Sequence, residues 1–152
     1  MSNRTYRVIE VVVAATRGRV VVVAGTGSNS TEEAIELTRH AKEAGADGAL
    51  LISPYYNKPT PHGIIEHYAA VGREVSLPLV AYNIPGRTAS NILPETMARL
   101  AEIEQVARGG VRLDRLAREG QTVVVADTPG EVPDRLLAVV QRDLHGRRRP
   151  DR

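Results

Sequence analysis

The sequence predicts an α/β protein built on parallel strands, and three observations carry that prediction. Short apolar runs of strand length, "RVVVVAG" at 19–25 and "GALLIS" at 48–53, alternate with stretches of helical periodicity. These runs are apolar throughout rather than alternating, as strands are when both faces of a sheet are covered. Between them stand helix-start and helix-stop residues, a capping serine and a terminating glycine among them. With 152 residues, 42% of them hydrophobic, the chain can form one domain with a real core. That core must be aliphatic, because Phe and Trp are absent and the aromatics are five tyrosines.

The first element reads as a helix, with Val8, Val11, Val12 and Ala15 at i, i+3, i+4 and i+7. The run 19–25 is the first strand. "SNSTEEAIELTRHAKEAG" then opens a helix in which Ser30 and Glu33 form a capping box. Ala34, Leu37, Thr38 and Ala41 make its buried stripe, and Gly45 stops it. "GALLIS" is the second strand, "PYYNKPTPHG" a loop, residues 63–75 a helix, and Pro78 to Tyr82 the third strand. "LPETMARLAEI" is a helix with Pro94 in its first turn.

Beyond Ile103 the character changes to an arginine- and glycine-rich stretch with a weak helix at Val111 to Arg118. "TVVVAD" at 122–127 reads as a fourth strand, and "TPGEVPDRLLAVVQRDL" as a helix capped by Thr128 and Glu131. No linker or repeat separates this part from the rest. The expected organisation is therefore one domain, regular over 1–105, followed by a divergent segment at 106–152 with a strand-helix unit and a basic tail.

Composition excludes several classes of chemistry. Without cysteine there are no disulfides, thiolate metal sites or cysteine nucleophiles, and a cytoplasmic setting is expected. Charge is nearly balanced, at 20 basic and 18 acidic residues, and the ending "HGRRRPDR" reads as a solvated tail rather than a nucleic-acid patch. No apolar run reaches the roughly 20 residues that span a bilayer. Glu10 interrupts the one near the start, so no targeting peptide and no membrane partner are expected. His40, His62, His67 and His145 are scattered without metal-ligand spacing, and two of them fall on helix faces expected to be solvated. "AGTGSNST" lies where a phosphate loop would sit, but position 30 is Ser where the dinucleotide fingerprint needs its third Gly, and no Walker lysine follows. No metal and no cofactor are expected.

The candidate site lies at the strand ends. Tyr55 and Tyr56 follow the second strand directly, Tyr82 ends the third, and Arg87 follows on a Pro-Gly turn. In parallel α/β folds the loops at the carboxyl ends of strands build the active site. Two readings stand for the tyrosines: phenols sharing a pocket and passing a proton, or rim residues with exposed hydroxyls. Arg87 is equally readable as a clamp for a carboxylate or as a surface arginine.

Two stretches, taken together, bear on these readings. "VAGTGSNSTEEAIELTRHAKEAGADGALLISPYYNKPT" and "LPLVAYNIPGRTASNILPETMARLAEI", in this order and with "GTGSN", "PYYNKP" and "YNIPGRT" at these separations, resemble the dihydrodipicolinate (4-hydroxy-tetrahydrodipicolinate) synthase family over about residues 5–105. Related pyruvate-dependent lyases, such as N-acetylneuraminate lyase, share the scaffold and the Y-N-I-P turn, while Asn57-Lys58-Pro59 and Arg87 favour the synthase. The resemblance implies a (β/α)8 TIM barrel, here partial, with about four parallel strands. It implies condensation of pyruvate with aspartate semialdehyde on the route to diaminopimelate and lysine, through a lysine Schiff base. Tyr82 is similar to the family's proton-relay tyrosine, and Tyr56 to the tyrosine that reaches across a tight dimer interface. Arg87 is similar to the arginine that holds the semialdehyde's carboxylate. A homo-oligomer formed through the Tyr55-Tyr56 loop follows from the same likeness.

The resemblance breaks in two places. The family's G-T-T-G-E threonines have no counterpart here, so the first barrel strands are expected to be missing. The Schiff-base lysine, which lies about 28 positions past the relay tyrosine, falls at Gly110 in "RGGVR", and no lysine occurs after Lys58. Arginine cannot replace it, because a guanidinium stays protonated. A full barrel takes about 250 residues, so the expectation is a truncated homologue, inactive alone. The change of character suggests a coding frame that shifts after about Ile103. Translating the other frames should show a lysine-bearing strand, and its absence from both would contradict the shift. Other readings are a pyruvate lyase of the same scaffold, a non-catalytic assembly module, and a small flavodoxin-like sheet that binds phosphate at "GTGSNS".

Overall fold

The computed structural model describes residues 2–109 and 123–126. Four parallel strands, β1 (Val21–Gly25), β2 (Gly48–Ile52), β3 (Leu79–Tyr82) and β4 (Val123–Ala126), form one sheet in the order β3-β2-β1-β4. The helices are α1 (Ser2–Thr16), α2 (Thr31–Ala44), α3 (Pro61–Glu74), the one-turn α4 (Pro85–Thr88) and α5 (Pro94–Leu100), with residues 104–109 also helical. The expected helix at Val111–Arg118 and the one after Thr128 lie outside the described residues.

α2 forms as its local residues dictate. The Ser30 side chain accepts the Glu33 N–H at 3.3 Å, and Gly45 ends the helix in the left-handed region at φ 95°. The expected reciprocal bond from Glu33 is relayed instead. Ser28 Oγ accepts the Ser30 N–H at 3.1 Å and donates to the Glu33 carboxylate, so a third residue joins the capping box. The stripe Ala34, Leu37, Thr38 and Ala41 is buried as its spacing predicts. α3 begins two residues earlier than periodicity alone suggests, because Pro61 at its first turn and the Thr60 cap, which accepts the Gly63 N–H at 3.1 Å, fix the start there.

α1 is a helix as expected, but its buried face is different. Ile9 is fully buried beside Val22, Ala24 and Ala41, flanked by Val8, Val12 and Val13, while Val11 is 50% exposed and Ala15 is exposed. With Val11, Val12 and Val13 in succession, several phases of a helical stripe fit equally, and contact with α2 and β1 selects the one through Ile9. His40 stacks on Tyr6 with ring centroids 4.0 Å apart, and its Nε2 lies 3.3 Å from the Glu10 carboxylate, which holds α1 against α2.

The main core lies between the sheet and helices α2, α3 and α5. It contains Ala49, Leu51 and Leu79 from the strands, Ile64, Tyr68 and Val71 from α3, and Leu100 and Val106 beyond. Since side chains alternate along a strand, Leu50, Ile52, Val80 and Tyr82 point to the opposite face. The cluster on that face consists of strand residues, Val23 with Val21 and Leu50. β4 joins the sheet on the free side of β1, with Val21 opposite Val123, rather than next to β3 where the next strand of a barrel would pair. Among the described residues the sheet therefore has β3 and β4 as its edges.

One histidine departs from its expected place. His67 is buried, with Nδ1 2.9 Å from Thr31 Oγ1 and its ring edge-on to Tyr68 at 5.7 Å, so it joins α3 to the start of α2. Burial lowers its pKa from 6.5, so the folded form holds the ring neutral. As pH falls through 6.5 the unfolded chain binds a proton that the folded chain resists. Stability contributed by this group is thus complete above that pH and declines below it, by at most about 1.4 kcal/mol per pH unit, until the lower folded pKa is reached. Urea midpoints at about pH 7.5 and about pH 5.5 should therefore fall in the wild type and fall less in His67→Gln. Equal falls in both would contradict the assignment.

Candidate functional site at the carboxyl ends of the strands

The loops that leave β1, β2 and β3 meet at one end of the sheet and are tied to each other. Thr26 donates its N–H to the Leu50 carbonyl at 3.1 Å, and Ser53 donates to the Tyr82 carbonyl at 3.3 Å, so both loops begin in register. The Asn57 side chain donates to the Asn29 carbonyl at 3.2 Å, and Ser53 Oγ lies 3.2 Å from Ser90 Oγ. Gly27 passes so close over β2 that a Cβ there would lie 2.6 Å from the Ile52 nitrogen, and only glycine fits without displacing the strand.

Tyr82 is the last residue of β3, opposite Ile52, partly buried, and on the face away from the helices. Its successor holds the following loop closed. The Asn83 side chain donates to Asn91 Oδ1 at 2.9 Å and accepts the Ile92 N–H at 3.0 Å. Within this clasp, residues expected as a plain turn form α4, which ends at Ala89 in the left-handed region at φ 52°. Thr88, 1% exposed, donates to the Ser90 carbonyl at 2.8 Å and fixes the turn from inside. Arg87 sits in the last turn of α4, exposed, with its guanidinium in no ion pair among the described residues.

Tyr55 is partly buried, whereas Tyr56 is 89% exposed at φ 70°, a backbone region that bulky residues rarely adopt. Tyr56 is therefore not packed on Tyr82 within one chain. Lys58, in the same loop at φ 44°, is exposed. The other lysine, Lys42, is exposed in the last turn of α2, at the end of the sheet remote from Tyr82. Sequence reasoning passed over Asn83 and Thr88, although an asparagine just after a strand is a known turn-former and a usable signal. Among the described residues no cluster of His, Asp and Glu could hold a metal ion, and no helix is long and apolar enough to cross a membrane.

Parallel strands with helices on their outer face, and polar side chains gathered where the strands end, define a segment of a (β/α) barrel with its site at the carboxyl face. The family model of the dihydrodipicolinate synthetase family matches residues 1–112, and the chain belongs to that family. The 4-hydroxy-tetrahydrodipicolinate synthase of Syntrophobacter fumaroxidans is 56% identical over 130 residues, covering 81% of this chain and 45% of that protein. The one from Geotalea daltonii is 63% identical over 100 residues, covering 66% of this chain and 34% of the relative. A crystal structure of the chloride-inhibited dihydrodipicolinate synthase from Acinetobacter baumannii, complexed with pyruvate, superimposes with a TM-score of 0.68 at 42% identity. It covers 82% of this chain and 46% of that one. The fold is thus a partial TIM barrel, and the chain spans less than half the length of these relatives.

Proposed function

We propose that this chain carries the proton-relay and carboxylate-binding part of a 4-hydroxy-tetrahydrodipicolinate synthase, and that these 152 residues, without a lysine to form the Schiff base, are inactive alone. In the full reaction an amine captures the ketone of pyruvate, the iminium draws electrons from the adjacent methyl, and the resulting enamine attacks the aldehyde of aspartate semialdehyde. Tyr82 is assigned the relay of protons to and from the reacting oxygen and nitrogen, and Arg87 the semialdehyde's carboxylate. Tyr56 is assigned the completion of a neighbouring copy's relay. Its exposure on a strained backbone supports that role, since a phenol so held serves only a partner that covers it. Assembly through the Tyr55-Tyr56 loop and a cytoplasmic, biosynthetic setting belong to the same proposal, as does the division of the chain into a family-like part and a divergent part after residue 105.

The observation that carries the proposal is the position of the amines. Lys42 and Lys58 are the only lysines in the sequence, and both are exposed, Lys42 in the last turn of α2 at the end of the sheet remote from Tyr82 and Lys58 in the loop after β2. A coupled assay of purified protein with pyruvate and aspartate semialdehyde tests it. No turnover above buffer is expected, and turnover at about 1 per second or faster, within the ordinary enzymatic range, would overturn it.

A further inference from the structure

We infer that Tyr68 is a positioning residue for Tyr82, acting from behind the sheet through the carbonyl of Leu51; this rests on the relay role proposed for Tyr82. Tyr68 projects from α3 into the main core and is fully buried, at 0% exposure. Its hydroxyl donates to the Leu51 carbonyl at 2.7 Å. Leu51 stands opposite Ala81 in the ladder. The N–H of Ala49 goes to the Pro78 carbonyl, and that of Ser53 to the Tyr82 carbonyl. With this alternation a parallel ladder directs the N–H of Tyr82 to the Leu51 carbonyl. One oxygen therefore receives the phenol from the helix side and the Tyr82 amide from the neighbouring strand.

The hydroxyl has no packing reason to be there. Phenylalanine would fill the same space without the cost of burying a polar group, which is offset only by the bonds that group makes. Burial also raises the Tyr68 pKa well above its ordinary value, so the phenol remains a protonated donor at any working pH. Since side chains alternate, Ala81 points toward α3 and Tyr82 away from it. A clamp on the rung between them sets the angle at which the Tyr82 side chain leaves the strand.

Nuclear magnetic resonance of protein labelled with carbon-13 at tyrosine Cζ tests the inference without substrate. The Tyr82 signal is assigned by its loss in Tyr82→Phe. In Tyr68→Phe, which keeps the ring and the packing, the Tyr82 Cζ resonance should shift and its amide should exchange about tenfold faster. Val71→Ala, a truncation of another buried residue on the same helix, controls for lost stability and should leave both readouts unchanged. A Tyr82 signal and amide unaffected in Tyr68→Phe, or equally affected in Val71→Ala, would overturn the positioning role. The relay role of Tyr82 fails separately if the corresponding tyrosine-to-phenylalanine change in the full-length Syntrophobacter fumaroxidans synthase leaves its turnover unchanged.

Discussion

Leu51→Ala lowers the stability of the protein by about 3–5 kcal/mol, the upper part of the range for a buried leucine. Three features place it there. Leu51 is fully buried and belongs to the largest core cluster together with Ile64, Tyr68, Val71 and Leu79. Its strand has a parallel neighbour on each side, β1 and β3, so the backbone cannot move inward to close the cavity. Its carbonyl is held by the Tyr68 hydroxyl, which fixes the helix that would otherwise follow. Total stability of a domain is of the order of 5–15 kcal/mol, so the loss is a large share of the whole. Urea unfolding measures it directly, and the melting temperature should drop by roughly 6–20 °C. Leu50, the next residue, faces the other side and is only partly buried, so Leu50→Ala serves as the comparison. A loss for Leu51→Ala no greater than for Leu50→Ala would contradict the assignment of the main core to the helix side of the sheet.

What the sequence reveals of the fold is what short-range chemistry determines. α2 is readable from end to end because its cap, its stripe and its terminating glycine are all local, from Ser30 to Gly45. The strands at 21–25, 48–52 and 79–82 are readable because continuous apolar runs of that length suit little else. The face of α1 is not readable, because three successive valines leave the phase of the helix to its tertiary contacts. Nor is the place of β4. Its apolar run marks a strand, but pairing with β1, about a hundred positions earlier, is decided by which edge is free.

The site divides in the same way. Tyr56, Tyr82 and Arg87 stand out by their distance from strand ends, which a sequence displays. The residues that hold them do not. Asn83 closes its loop with partners eight and nine positions on, and Tyr68 reaches a carbonyl seventeen positions back. A tyrosine on a helical apolar stripe gives no sign of which backbone oxygen it holds. His67 illustrates the converse: read as one of four scattered histidines, it proves to be a core residue whose Nδ1 meets Thr31, 36 positions earlier.

The largest effect concerns chemistry rather than stability. An iminium between pyruvate and a lysine is reduced by borohydride to a stable secondary amine, adding about 72 Da to the chain, and the reaction requires an amine that is neutral and close to the bound ketone. Lys42 and Lys58, the only lysines in the sequence, are both exposed. Protein treated with pyruvate and borohydride and then weighed intact by mass spectrometry should keep its mass, while a full-length synthase treated alongside gains one adduct per chain. A stoichiometric gain of about 72 Da on this protein, whether at Lys42, at Lys58 or at the amino terminus, would mean that it does possess the nucleophile, and the account of an incomplete site would be wrong.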